Sequence, residues 1–131
     1  MPYRNLGAIP LYTKAIELRE ISRALASYVS FNKDFLQLYS SNSLRDNIAD
    51  SLITDSLLIT EKIALAEESK SYAERIRSAR FISIMIHNIN SYCLGLEKDG
   101  LKEKEYLNLL RSEIRSFRKT FKKWRSSLNN D

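Results

Sequence analysis

The stretch KEKEYLNLLRSEIRSFRKTFKKWRSSL, residues 102–128, decides the fold. Tyr106, Leu110, Ile114, Phe117, Phe121, Trp124 and Leu128 recur in it mostly at alternating steps of four and three. That is the seam spacing of an α-helix laid at a shallow angle against its neighbours. It predicts a helix over 102–128 with an aromatic-rich face turned inward. Just upstream, Gly100 follows Lys98 and Asp99 and suits the left-handed position that closes a helix. The helix it closes is expected over 71–98. Ser71 with Glu74 reads as a capping box, and Tyr72, Ile76, Ala79, Ile82, Ile86, Ile89, Cys93 and Leu96 form its stripe.

The same periodicity continues toward the N-terminus. A helix over 43–67 opens at Ser43 with Asp46, and Leu44, Ile48, Leu52, Ile59, Ile63 and Ala66 share one face. Asp55 falls on that face. It is either an aspartate at the edge of the stripe or a buried carboxylate with a specific partner. A further helix over 10–31 begins at Pro10, whose missing N–H costs nothing in a first turn, and carries Leu18, Ile21, Leu25 and Tyr28. Between these two helices, FNKDFLQLYSSNS (31–43) breaks the pattern and reads as a connection with room for one short helical turn. The 131 residues include only three glycines and two prolines, both prolines within the first ten positions. A β-sandwich or barrel would need turn residues every ~8–12 positions. The chain is therefore expected to be one all-α domain over 1–131, an antiparallel up-and-down four-helix bundle.

Composition narrows the function classes. Between positions 111 and 125 stand seven basic residues and one acid, Glu113, so this segment carries +6 while the rest of the chain carries −1. No apolar run approaches the ~18 residues of a membrane span, and the opening MPYRNLGAIPLY has no basic-then-apolar leader. The lone cysteine, Cys93, cannot form an internal disulfide. A cytoplasmic protein with no membrane partner is expected.

Arg111, Arg115, Arg118, Lys119, Lys122 and Lys123 are expected opposite the aromatic stripe, with Arg125 nearer to it; Arg77 and Arg80 could extend the basic face. A solvated helix face normally mixes signs. A face almost without acids repels itself and points to a polyanionic partner. A second feature is apolar surface beyond one stripe: Phe81, Ile84, Met85 and Tyr92 project to other sides of the 71–98 helix, and Ile53, Leu57 and Leu58 do so on the 43–67 helix. Such residues are buried on a second face or form a binding patch, which points to a homo-oligomer. His87 reads as a polar residue at a helix edge and Cys93 as a small core residue; one of each is too few for zinc. Phosphate-binding glycine loops and acid–base or nucleophile pairs are missing, so neither an enzyme nor a cofactor is expected.

The order of these features resembles a known family. The residues that carry it are Pro10-Leu11-Tyr12, Ser56-Leu57-Leu58-Ile59, Lys70-Ser71-Tyr72-Ala73-Glu74 with Arg75 to Ala79, Asp99-Gly100-Leu101-Lys102-Glu103-Lys104-Glu105-Tyr106, and Lys123-Trp124-Arg125-Ser126-Ser127-Leu128. Over roughly residues 9–128 the chain resembles the accessory variability determinant (Avd) proteins of diversity-generating retroelements. It also resembles the related four-helix-bundle proteins encoded in intervening sequences of bacterial 23S ribosomal RNA genes. The resemblance implies a basic, barrel-shaped homopentamer. Its partners would be a reverse transcriptase and template RNA, and it would assist mutagenic cDNA synthesis without catalysis of its own. A structural scaffold whose basic face is only solubilising remains the rival reading.

Overall fold

The computed structural model describes residues 5–128. Every regular element among them is helical. A short 3-10 turn, Leu6–Ala8, leads into α1 (Pro10–Val29), α2 (Phe35–Tyr39), α3 (Leu44–Glu68), α4 (Tyr72–Lys98) and α5 (Glu105–Ser127). The four long helices agree with the periodicity, with ends that shift. α1 stops at Val29 rather than 31, because Phe31 and Asn32 take positive φ values of 57° and 61°. The Asn32 N–H donates to the Ser27 carbonyl at 2.9 Å and turns the chain away. α5 begins at Glu105 rather than 102. Gly100, at φ 87°, places the Leu101 N–H on the Leu96 carbonyl at 3.1 Å, and the chain needs the following residues to reverse.

The 31–43 connection holds a fifth helix. Asp34 and Gln37 form a reciprocal capping box, each side chain accepting from the other's N–H at 2.9 Å. Only Leu38 of this short helix is buried.

The starts of α3 and α4 share a cap that the capping-box reading did not foresee. Ser43 and Ser71 accept from the N–H three residues on, at 3.4 and 3.3 Å. The acid at that third position does not reach back to them. Instead Ser41 Oγ donates to Asp46 at 2.7 Å, and Ser69 Oγ donates to Glu74 at 2.6 Å. Each of these serines also accepts from the N–H two residues later, at 3.1 Å. The pattern Ser-x-Ser-x-x-acid thus supplies two first-turn acceptors and stabilises each helix start with an acid near its positive end.

One core joins all four long helices. α1 packs on α3 and α5, α3 packs on α4, and α4 packs on α5. Leu11, Leu18 and Leu25 of α1 meet Leu52, Ile59 and Ile63 of α3, Ile82, Ile89 and Leu96 of α4, and Leu107 and Phe117 of α5 in one fully buried cluster. Phe117, Phe121 and Trp124 are buried as their spacing predicts, and the Trp124 indole N–H donates to Glu67 at 2.8 Å. Leu107, not Tyr106, occupies the first inward position of α5; Tyr106 is exposed and its ring lies 5.0 Å from that of Tyr28. Leu44 and Tyr72, also at stripe positions, are exposed because each is the first residue of its helix, beyond the neighbour that would cover it. Cys93 is a buried core residue, and burial pushes its thiol up to about 11.

Asp55 is only partly buried, at the edge of the stripe, yet it has the specific partner that the second reading of it required. The Tyr92 hydroxyl donates to its carboxylate at 2.6 Å across the α3–α4 contact. Burial raises the Asp55 pKa above 3.8, and burial followed by Asp55 itself pushes Tyr92 up to about 12, so the phenol remains a donor. An acid whose folded pKa is raised holds its proton more tightly in the folded state. Its contribution is present below the ordinary carboxylate pKa and is lost as pH rises through the folded value. Asp55→Asn retains an acceptor for Tyr92 without the charge. Thermal melts from about pH 4 to 7 should show a flatter profile than the parent. At neutral pH the melting temperature should be at or above that of the parent, and a lower one would contradict this account of the pair.

Candidate nucleic-acid interface

α5 owes its basic surface to simple geometry. At 100° per residue, Arg111, Arg115, Arg118, Lys122 and Arg125 follow at steps of four, three, four and three, so they form one ridge beside the buried stripe. This ridge meets α4 at both ends. Near the start of α5, the Arg111 guanidinium donates to both Glu97 carboxylate oxygens, at 3.3 and 3.2 Å. Arg111 holds Glu97 below the usual carboxylate range, and Glu97 raises Arg111 in turn. Near the end of α5, Lys122, Arg125 and Ser126 line a cleft of about 420 Å³ with Tyr72, Ile76 and Arg80 of α4.

Between these ends the cations stand free. Arg115, Arg118, Lys119, Lys122 and Lys123 are exposed, as are Arg80 and Arg125. Among the described residues none of them makes an ion pair, in contrast to Lys14, Lys33, Arg45 and Arg111. The sequence-derived set therefore divides. Arg115, Arg118 and Lys122 share the ridge. Lys119 turns outward, and Lys123 turns toward the opposite flank of the helix. Arg111 belongs to the ridge by position, but its charge is already met by Glu97.

The two α4 arginines also part. Arg80 joins Lys122 and Arg125 at the cleft, whereas Arg77 lines a different groove with Lys62, Leu65, Glu74, Ser78 and Phe81. A step of three on a helix moves a side chain by about 60° around the axis, enough here to send one arginine toward α5 and the other toward α3. Arg125 and Tyr72 are the two residues sequence reasoning passed over. Arg125 looked closer to the aromatic stripe and Tyr72 looked like part of the core. The regular 4-3-4-3 continuation from Arg111 was the available signal for Arg125.

The residues read as a second apolar face are largely used within the chain. Met85 and Tyr92 pack against the core, and the Lys62 ammonium sits 4.8 Å from the centre of the Phe81 ring. Ile84 is the one of the four left more than half exposed, at 56%. Leu57 and Leu65 of α3 are exposed as well. His87 is exposed at the helix edge, as its spacing suggests.

Among the described residues no three His, Cys, Asp or Glu side chains gather as a metal site would require, and no helix is long and apolar enough to cross a membrane. No family model, curated protein or solved structure matches this chain.

Proposed function

We propose that this protein is a non-catalytic, nucleic-acid-binding accessory protein of the Avd type. It would bind template RNA or an RNA–DNA hybrid through α5 and assist a reverse transcriptase. The observation that carries the reading is the run of exposed, unpaired cations, Arg115, Arg118, Lys119, Lys122 and Arg125, on a helix whose other face is packed into the core. Folding has placed this positive charge on a rigid element without compensating it. Polyanion phosphates would relieve the repulsion and release condensed counterions.

The architecture that goes with this reading is an up-and-down four-helix bundle. The Glu97–Arg111 pair at one end of α4 and α5, and the Arg80–Lys122–Arg125 cleft at the other, support antiparallel neighbours. In this reading the chain forms a homo-oligomeric ring, of five subunits by the resemblance. Exposed Leu57, Leu65 and Ile84 supply apolar surface for such contacts. A ring repeats a weak cationic face and raises avidity wherever one strand spans several subunits.

The test replaces Arg115, Arg118 and Lys122 together by Gln. RNA binding is then measured over a range of salt concentrations, and mass in solution by light scattering against the 15.2 kDa monomer. The parent should bind with affinity falling steeply in salt. In the variant the log–log slope should shrink by about 0.7–0.9 for each lost contact, with the oligomer unchanged. Unchanged affinity and slope would leave the basic face a solvated surface and favour a structural scaffold. A monomer mass for the parent would remove the ring.

A further inference from the structure

The cleft at the far end of the ridge differs from the ridge itself. The ridge is a convex row of cations on one helix. The cleft is concave and built by two helices, with unlike chemistry on its walls. Arg80 from α4 and Lys122 and Arg125 from α5 put three positive charges on its rim. Ile76, partly buried against the core, adds an apolar side chain to its lining. Tyr72, the first residue of α4 and 47% exposed, also lines it, with the Arg75 guanidinium 6.0 Å from the ring centre. Ser126 donates its hydroxyl proton to the Lys122 carbonyl at 3.1 Å, so it adds no positive donor and the recognition charge comes from the three cations. The volume of about 420 Å³ lies in the range of small-molecule sites.

We infer that this cleft seats one unpaired nucleotide of a bound strand, with its phosphate among Arg80, Lys122 and Arg125 and its base against Tyr72. The inference rests on the proposed nucleic-acid reading and adds a preference for single strands to it. Cations alone attract any polyanion. An aromatic face beside them is useful only to a base whose own face is free, and inside a duplex the bases stack on one another. The Arg75 guanidinium lies over one face of the Tyr72 ring, 6.0 Å from its centre, so the base is seated against the other. The flat Arg forks suit phosphate oxygens better than Lys would. A strand lying along the α5 ridge would therefore be held by phosphates from Arg115 to Lys122 and by one stacked base at the cleft.

The experiment uses the full chain with a labelled single-stranded RNA and a duplex of equal length, titrated at several salt concentrations. Arg80→Gln should lower the single-strand log–log slope by about 0.7, one contact, and leave the duplex slope unchanged. Tyr72→Leu should weaken single-strand binding about tenfold with no change in slope and spare the duplex, while Tyr72→Phe should bind like the parent. Equal losses on both nucleic acids, or parent-like binding by the cleft variants, would overturn the inference and leave the general reading of α5 standing. Absence of salt-dependent binding by the parent would overturn both. Should Tyr72→Leu fail to fold, Arg80→Gln decides alone, because that side chain lies outside the core.

Discussion

Phe117→Ala should cost about 3–5 kcal/mol of folding free energy, the range for removing a large aromatic from a packed interior. Phe117 is fully buried at the middle of α5, and its ring centre lies 6.1 Å from that of Phe121, which in turn lies 5.9 Å from Trp124. These rings are the wall on which the leucines and isoleucines of the other long helices close. Removing Phe117, the fully buried one, leaves a cavity that rigid helices cannot collapse into, so the transfer loss and the cavity loss add. Since small domains are stable by only about 5–15 kcal/mol, the melting temperature should fall by about ten degrees or more, at roughly 3–5 °C for each kcal/mol in a domain of this size. Differential scanning calorimetry or circular dichroism would measure it. A parent-like melt would mean that α5 does not pack through Phe117.

Asp46→Ala should have the next largest effect, about 2–3 kcal/mol, although nothing about its sequence position marks it as critical. Its carboxylate is 2% exposed, accepts from Ser41 Oγ at 2.7 Å, and pairs with Lys33 Nζ at 3.0 Å. Hydrogen bonds to a charged group contribute roughly 1.5–3 kcal/mol each, and removing the acceptor strands both donors. Lys33 is partly exposed and regains water, which keeps the figure below that for a fully buried pair. The Ser41 bond, against the opposing effect of burial, and then Lys33 lower the Asp46 pKa. Its contribution is thus complete above the ordinary carboxylate pKa and is lost as pH falls through the lower folded value. The parent should lose stability on acidification below about pH 4, and Asp46→Ala should lose less over the same interval. Urea denaturation at two pH values separates the outcomes. An equal acid response in the two proteins would mean that other carboxylates govern it.

The two predictions draw on different levels of information. Phe117 could be named from the sequence, since the periodicity of α5 is so regular that its inward face follows from counting. The same holds for the helical class of the chain, the four long helices, the Gly100 stop, the serines that open α3 and α4, and the concentration of positive charge in residues 111–125. These depend on local preferences and on 3.6-residue geometry, which a single segment carries within itself.

What the sequence could not settle depends on which side chains meet across helices. Asp46 looked like half of an ordinary capping box. Its burial comes from Lys33 and Ser41, brought over it by the backbone reversal at Phe31 and Asn32. Asp55 had two readings until Tyr92 was found opposite it, 37 residues away. Arg111 counted with the other basic residues until Glu97 neutralised it from the neighbouring helix. Arg77 and Arg80, three apart in sequence, face different grooves because α4 is flanked by α3 on one side and α5 on the other. The sequence alone determined an all-helical chain with its excess positive charge near one end. The tertiary structure decided which charges are already paired and which remain for a partner. The physical reason is that pairing energy falls off within a few ångströms, and only the packing of one helix against another brings residues distant in sequence within that reach.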